Sequence, residues 1–170
     1  MKRIIAALAA VAVAVALFAV AVAEAPVGLA NPWTEVTAEE LVENPGVEFG
    51  IPEGAENISY SLLESEGLAE MRFTWYDMDY VARIKPAAEF EDISGLYYDA
   101  WDLEDDCSVG GCEGRVMRTH DEGLTVDLCL WYDVVPGLMY YISASGEDLD
   151  GFDIQAAADA LYVPAQGDAG

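Results

Sequence analysis

Three cysteines, one histidine and two runs of acids are the residues of this 170-residue chain whose types could do chemistry. Cys107 and Cys112 stand four residues apart in the Gly-rich stretch CSVGGCEG. In an oxidising compartment that spacing suits a small loop disulfide, stabilising by only about 2 kcal/mol because the loop is short. Cys129 falls in an apolar run and reads as a buried free thiol; its pairing with Cys107 or Cys112 is the alternative. A zinc site built from the three cysteines and His120 has suitable ligand types but matches no standard spacing. His120 lies where RVMRTH runs into Asp121-Glu122-Gly123, and no nucleophile or orienting partner stands nearby, so it reads as a surface-turn residue. Ser145 sits in Ala-Ser-Gly, outside a nucleophile elbow, and GGCEG lacks the Lys-Ser/Thr that follows a phosphate loop.

The acidic runs are the remaining candidates. DLEDD offers Asp102, Glu104, Asp105 and Asp106; GEDLDGFD offers Glu147, Asp148, Asp150 and Asp153. Carboxylates on a turn suit calcium, and Asp102, Glu104, Asp105, Asp148 and Asp150 are the candidate weak ligands. The EF-hand register is not reproduced, and with 32 acids in the chain, clusters arise without function. Helix caps and solvated turns are the plainer account.

The aromatic residues raise a second possibility. Residues 126–145, VDLCLWYDVVPGLMYYISAS, carry Trp131, Tyr132, Tyr140 and Tyr141 around Pro136-Gly137. Asp127 and Asp133 argue against a membrane helix. A hairpin predicts Asp127 on a wet face and Asp133 in the turn, with the rings inside. The competing reading makes Trp75, Trp101, Trp131 and Tyr140 a ligand platform on the aromatic face of a sheet.

Charge narrows the partners. The chain has 7 Lys+Arg against 32 Asp+Glu, a net charge of −25. Without residues 1–23, which hold Lys2, Arg3 and no acid, it would be −27. Such a surface repels nucleic acid and anionic membrane surfaces. Residues 1–23 pattern as a signal peptide: a basic start, an apolar run, and Ala21-Val22-Ala23 as a small-x-small cleavage site. The 20 residues from 4 to 23 would also serve as an uncleaved anchor. No cysteine follows that run, so a lipoprotein-type attachment is not expected. Either way residues 24–170 are expected outside the cytoplasm, extracellular or on the cell surface.

Residues 24–33 pattern as a linker, 34–163 as one domain and 164–170 as a flexible tail. Thr37 and Glu40 form a capping box for a short helix that Asn44-Pro45-Gly46 stops. Residues 47–67 predict two short strands broken at Pro52-Glu53-Gly54. Residues 68–85 predict a hairpin turning at Tyr76–Asp79. Ala69, Met71, Phe73 and Trp75 face inward, opposite Leu68, Glu70, Arg72 and Thr74; on the return strand Tyr80, Ala82 and Ile84 share one face and Val81, Arg83 and Lys85 the other. A helical turn is expected within 88–93. WDLED and GRVMRTH read as two strands, 123–133 and 137–145 as the second hairpin with its turn at Asp133–Gly137. Asp150 or Asp153 caps a closing helix with Ile154, Ala157, Ala158 and Leu161 on one face. The fold class is α+β: an antiparallel, hairpin-built curved sheet with a short N-terminal and a C-terminal helix packed on it.

The order NPW, GIPEGAENISYSLLES, RFTWYDMDYVARIKP, DISGLYYDAWD and LCLWYDVVPGLMYYISASG resembles exported proteins of unknown function from Gram-positive gut bacteria. The closing hairpin and helix are distantly similar to the DUF4367-type extracellular domain. That resemblance spans roughly residues 31–163, implies an exported antiparallel sheet with packed helices, and carries no catalytic residues. Together these readings predict a non-enzymatic, exported, acidic binding module without a cofactor, its partner an envelope protein or a small apolar ligand. A carrier or sensor for a lipid-like ligand and a calcium-assisted surface module are the alternatives.

Overall fold

The computed structural model describes residues 31–164, apart from Asp99, Glu122 and the side chain of Asp121. Residues 1–23, expected to be a signal peptide or anchor, and most of the expected linker and tail lie outside the described residues. Among the described residues no helix is long and apolar enough to cross a membrane. Eight strands form one open antiparallel sheet: β1 (Thr34–Val36), β2 (Glu56–Leu63), β3 (Leu68–Trp75), β4 (Met78–Pro86), β5 (Leu103–Val109), β6 (Cys112–Asp121), β7 (Leu124–Asp133) and β8 (Leu138–Gly146). Their spatial order is β1-β2-β3-β4-β8-β7-β6-β5. Two helices accompany them, α1 (Ala38–Glu43) and α2 (Ile154–Leu161).

The two hairpins with alternating apolar residues make the centre of the sheet, meeting where β4 pairs with β8, Tyr80 opposite Ala144 and Ile84 opposite Tyr140. Strand alternation sends one set of side chains to an inner face. Ala69, Met71, Phe73, Tyr80, Ala82, Ile84, Cys129, Trp131, Tyr140 and Ile142 are buried there together. Leu41 of α1, Val47, Phe49, and Ile154, Ala157, Ala158 and Leu161 of α2 cover them. The capping box forms: Glu40 N–H donates to Thr37 Oγ1 and Thr37 N–H to Glu40 Oε2. Asp153, not Asp150, caps α2, accepting from Gln155 and Ala156 N–H.

The aromatic rings fill this core. Trp131 is fully buried and stacks on Tyr140 at 5.0 Å and 7°, with Tyr162 edge-on to both. Tyr162 O–H donates to Asp133 at 2.5 Å. Burial, reinforced by the Asp133 charge, pushes the Tyr140 phenol up to about 12.

Several expectations change. Residues 47–67 hold one strand, β2, because Gly50, Pro52 and Gly54 break the first half. That half lies against the end of α2, where Gly50 N–H donates to Leu161 O. The first turn needs only Tyr76 and Asp77, both at positive φ (49° and 60°), the two-residue geometry that suits the twist of a hairpin. Residues 34–36 pair with β2 as a short edge strand. No helical turn forms within 88–93. Asp127 is not on a wet face: it is 2% exposed and takes two hydrogen bonds from Arg118, at 2.5 and 2.6 Å. Nor is Leu68 or Glu70 outward in the sense of wet, at 6% and 3% exposure. The second sheet face is itself half covered, by the segment after β4.

Two outcomes test this core. Tyr140 favours its neutral form in the fold, whereas an unfolded tyrosine titrates near pH 10. Its contribution is therefore complete below about pH 10 and is lost as pH rises toward about 12. Melting temperature should fall across that window, and less so in Tyr140→Phe. Gly114→Ala should lose about 1–3 kcal/mol in urea unfolding, because the added methyl would meet Leu130 O at 2.8 Å and Cys107 Sγ at 3.0 Å.

Candidate binding hollow around Trp33

The outer face is built around a buried carboxylate. Register places Glu35, Ser61, Glu70, Arg83 and Tyr141 side by side across β1, β2, β3, β4 and β8. Glu70 Oε2 takes a hydrogen bond from Arg83 Nε at 2.9 Å and lies 2.8 Å from Arg83 Nη2 in the same ion pair, while Oε1 takes one from Arg72 Nε at 2.7 Å. Arg83 Nη1 donates onward to the carbonyls of Ile93 and Ser94. This accounts for the absent helix within 88–93: the guanidinium fastens the Ile93 and Ser94 carbonyls to the sheet face. Asp92 accepts from Ser94 N–H at 2.7 Å and shapes the bend. Ile93, Leu96 and Trp101 then pack with Leu68, Met117, Leu128, Leu130, Met139 and Tyr141 as a second core.

Trp33, immediately before β1, lies against the Arg83 guanidinium at 5.6 Å, and Tyr141 lies at the same distance. Two open hollows share Trp33 and Arg83. The first, about 340 Å³, is lined also by Leu63, Glu66, Lys85, Asp92, Leu96 and Tyr97. The second, about 360 Å³, is lined also by Asn31, Glu35, Ser59, Ser61, Glu70 and Arg72. Both fall at the small end of the range for ligand pockets, about 300–1,000 Å³. Tyr97 is 96% exposed at the first, and the Arg72 side chain is 63% exposed at the second. Of the five basic residues from 31 to 164, Arg72, Arg83, Lys85 and Arg115 all project on this face. Only Arg118 points the other way, to Asp127.

The residues singled out from sequence do not converge. Trp75, Trp131 and Tyr140 belong to the inner core, Trp75 donating its indole N–H to Glu53 O at 3.0 Å. Trp101 lies on the opposite face, edge-on to Tyr98. Asp102 accepts from His120 N–H at 2.8 Å and faces its Nδ1 at 3.0 Å; that side-chain hydrogen bond holds the carboxyl below its usual range. Glu104 pairs with Arg115, and Asp148 accepts from Asp150 N–H. Strand alternation sends Glu104 and Asp105 to opposite faces of β5. Among the described residues no three His, Cys, Asp or Glu side chains come together as a metal cluster.

Cys107 and Cys112 are not bonded to each other. Both belong to strands joined at Gly110-Gly111, and their register is offset, Cys107 opposite Gly114 and Cys112 opposite Val109. Cys107 leans over the side-chain gap at Gly114 toward Cys129, Sγ to Sγ 3.7 Å. Cys112 donates to Tyr162 Oη instead. Burial raises both the Cys107 and the Cys129 thiol, so neither is prepared as a nucleophile.

Trp33 and the Glu70–Arg83 pair were missed in the sequence. The available signal was the charge placement: three of so few cations fall at 72, 83 and 85, and alternation puts Arg83 and Lys85 on one side. Removing Glu70 should be costly, because a buried guanidinium loses its carboxylate. Glu70→Ala is expected to lose about 3 kcal/mol in urea unfolding, against at most about 1 kcal/mol for the exposed Arg72→Ala.

Comparison with protein-family models, curated proteins and solved structures finds no match.

Proposed function

We propose that this chain is an exported, non-enzymatic binding module that engages cell-envelope or extracellular material through the outer sheet face around Trp33. Export is supported by residues 1–23, with their basic start, apolar run and Ala-Val-Ala site. A hairpin-built, curved sheet, with α1 and α2 on its inner face, would serve as the rigid frame. The observation that carries the reading is the contrast between the faces. The inner one is packed by two helices over an aromatic core, with hollows of only about 180 and 240 Å³ at its margins, whereas the outer one leaves ionic and aromatic side chains around two larger hollows that share Trp33 and Arg83.

The alternative of a lipid-like carrier would need the aromatic rings to border a lumen. Trp131 and Tyr140 instead stack on each other with Tyr162 edge-on to both, and both hollows are charged and open. The calcium-assisted alternative would draw on Asp102, Glu104, Asp105, Asp148 and Asp150, of which Asp102 is engaged by His120, Glu104 by Arg115 and Asp148 by the Asp150 N–H.

The test is co-sedimentation of the purified chain with insoluble cell-envelope material, beside assays on a common ester, peptide and glycoside. Wild type should sediment, Arg72→Ala should be retained at least about tenfold less, and no substrate should turn over. Equal sedimentation of the variant would remove the outer face from the function. Turnover abolished by changing one acid or His120 would make the protein an enzyme. A lipid seen bound in native mass spectrometry would favour the carrier.

A further inference from the structure

We propose that the paired hollows at Trp33 form a subsite for a neutral saccharide, one or two rings in size; this rests on the binding-module reading and gives it a ligand class. Charge supplies the first argument. The first hollow sets Arg83 and Lys85 against Glu66 and Asp92; the second sets Arg72 and Arg83 against Glu35 and Glu70. Each is locally balanced within a chain of net charge −25. At long range that charge turns anions away, and at short range the guanidinia turn cations away. A neutral, polar ligand is the class that neither field penalises.

The hydrogen-bonding groups supply the second. Among the described residues, Arg72 uses only Nε, on Glu70, which leaves its Nη edge as a two-pronged donor. The hydroxyls of Ser59 and Ser61 project from alternate positions of β2 onto the same face and make no side-chain hydrogen bond among the described residues. Glu35, opposite Ser61, adds an acceptor. Donors and acceptors therefore stand side by side along one short wall, as vicinal hydroxyls require. A purely acidic or purely basic wall would not provide this.

The aromatic groups supply the third. Trp33 borders both hollows, and Tyr97 extends almost wholly into solvent at the rim of the first. A flat ring can cover the C–H face of a sugar: Trp33 stands beside the hydroxyl-binding groups of the second hollow, and Tyr97 beside Lys85, Glu66 and Asp92 in the first. A few polar groups fixing orientation beside an apolar surface is the usual make-up of a small-molecule site. At about 340 and 360 Å³, open and lined by ions, neither hollow suits a long acyl chain.

The experiment is calorimetric titration of the full chain with three probes: cellobiose, the N-acetylglucosamine disaccharide, and a uronic-acid disaccharide. At least one neutral probe should bind in the millimolar range or tighter and the uronate should bind more weakly. Tyr97→Ala and Arg72→Ala, both exposed and expected to fold, should each weaken binding about tenfold. Absence of binding by both neutral probes, preference for the uronate, or unchanged affinity in both variants would overturn the saccharide assignment. Envelope co-sedimentation that is lost in Arg72→Ala but not competed by either neutral probe would overturn the ligand class while leaving the binding module standing. Loss of both kinds of binding in wild type would end both.

Discussion

The outer half of this protein depends on one carboxylate shared by two guanidinia. Glu70 is buried in the middle of a strand, where an unpaired charge would cost several kcal/mol, so Arg83 must remain beside it. Arg83 in turn has donors left over once Glu70 is satisfied, and it spends them on the carbonyls of Ile93 and Ser94. A segment with little regular hydrogen bonding of its own is thereby fastened to the sheet. Trp33 closes over the same guanidinium from the other direction. Charge pairing, loop placement and the two hollows are thus consequences of a single buried acid.

The inner half works by different means. There the aromatics, α1 and α2 exclude water from the sheet, and buried polar groups are few and individually tied: Tyr162 to Asp133 and Asp127 to Arg118. One donor, the Trp131 indole N–H, has no partner among the described residues. The strong stacking on Tyr140 and the full enclosure of the ring offset that loss. At the ends of the sheet the design is defensive. β1 has only three residues, and β5 shows solvent Glu104, Asp105 and Asp106 in succession. Short or highly charged edges discourage other strands from adding to them.

Period-two alternation made much of the fold legible in the sequence. The β3–β4 and β7–β8 hairpins, the inward set from Ala69 to Ile84, the Thr37–Glu40 capping box and the buried stripe of α2 all follow from local spacing. Local spacing has no view of what lies above a sheet. Glu70 and Asp127 read as wet because each alternates with apolar neighbours; both are buried because an arginine on an adjacent strand meets them. The 88–93 segment has a helical composition, yet its conformation is decided by Arg83, ten residues upstream. The candidate site was least legible of all. Trp33 gains its position only when β1 joins β2, some 26 residues later, and Tyr97 lies in a stretch without periodicity. The cysteines illustrate the same limit, since the gap at Gly114 that draws Cys107 toward Cys129 exists only once three strands are aligned.

The distribution of cations has an effect on how the molecule would sit. With Arg72, Arg83, Lys85 and Arg115 all on one side of the sheet and acids dominating elsewhere, the domain is electrically lopsided. Near any negatively charged surface, every other approach would meet greater repulsion, so the protein would rotate until its least anionic side faced that surface. Orientation would then precede contact, and the side bearing Trp33 would already be turned toward such a surface before any specific interaction began.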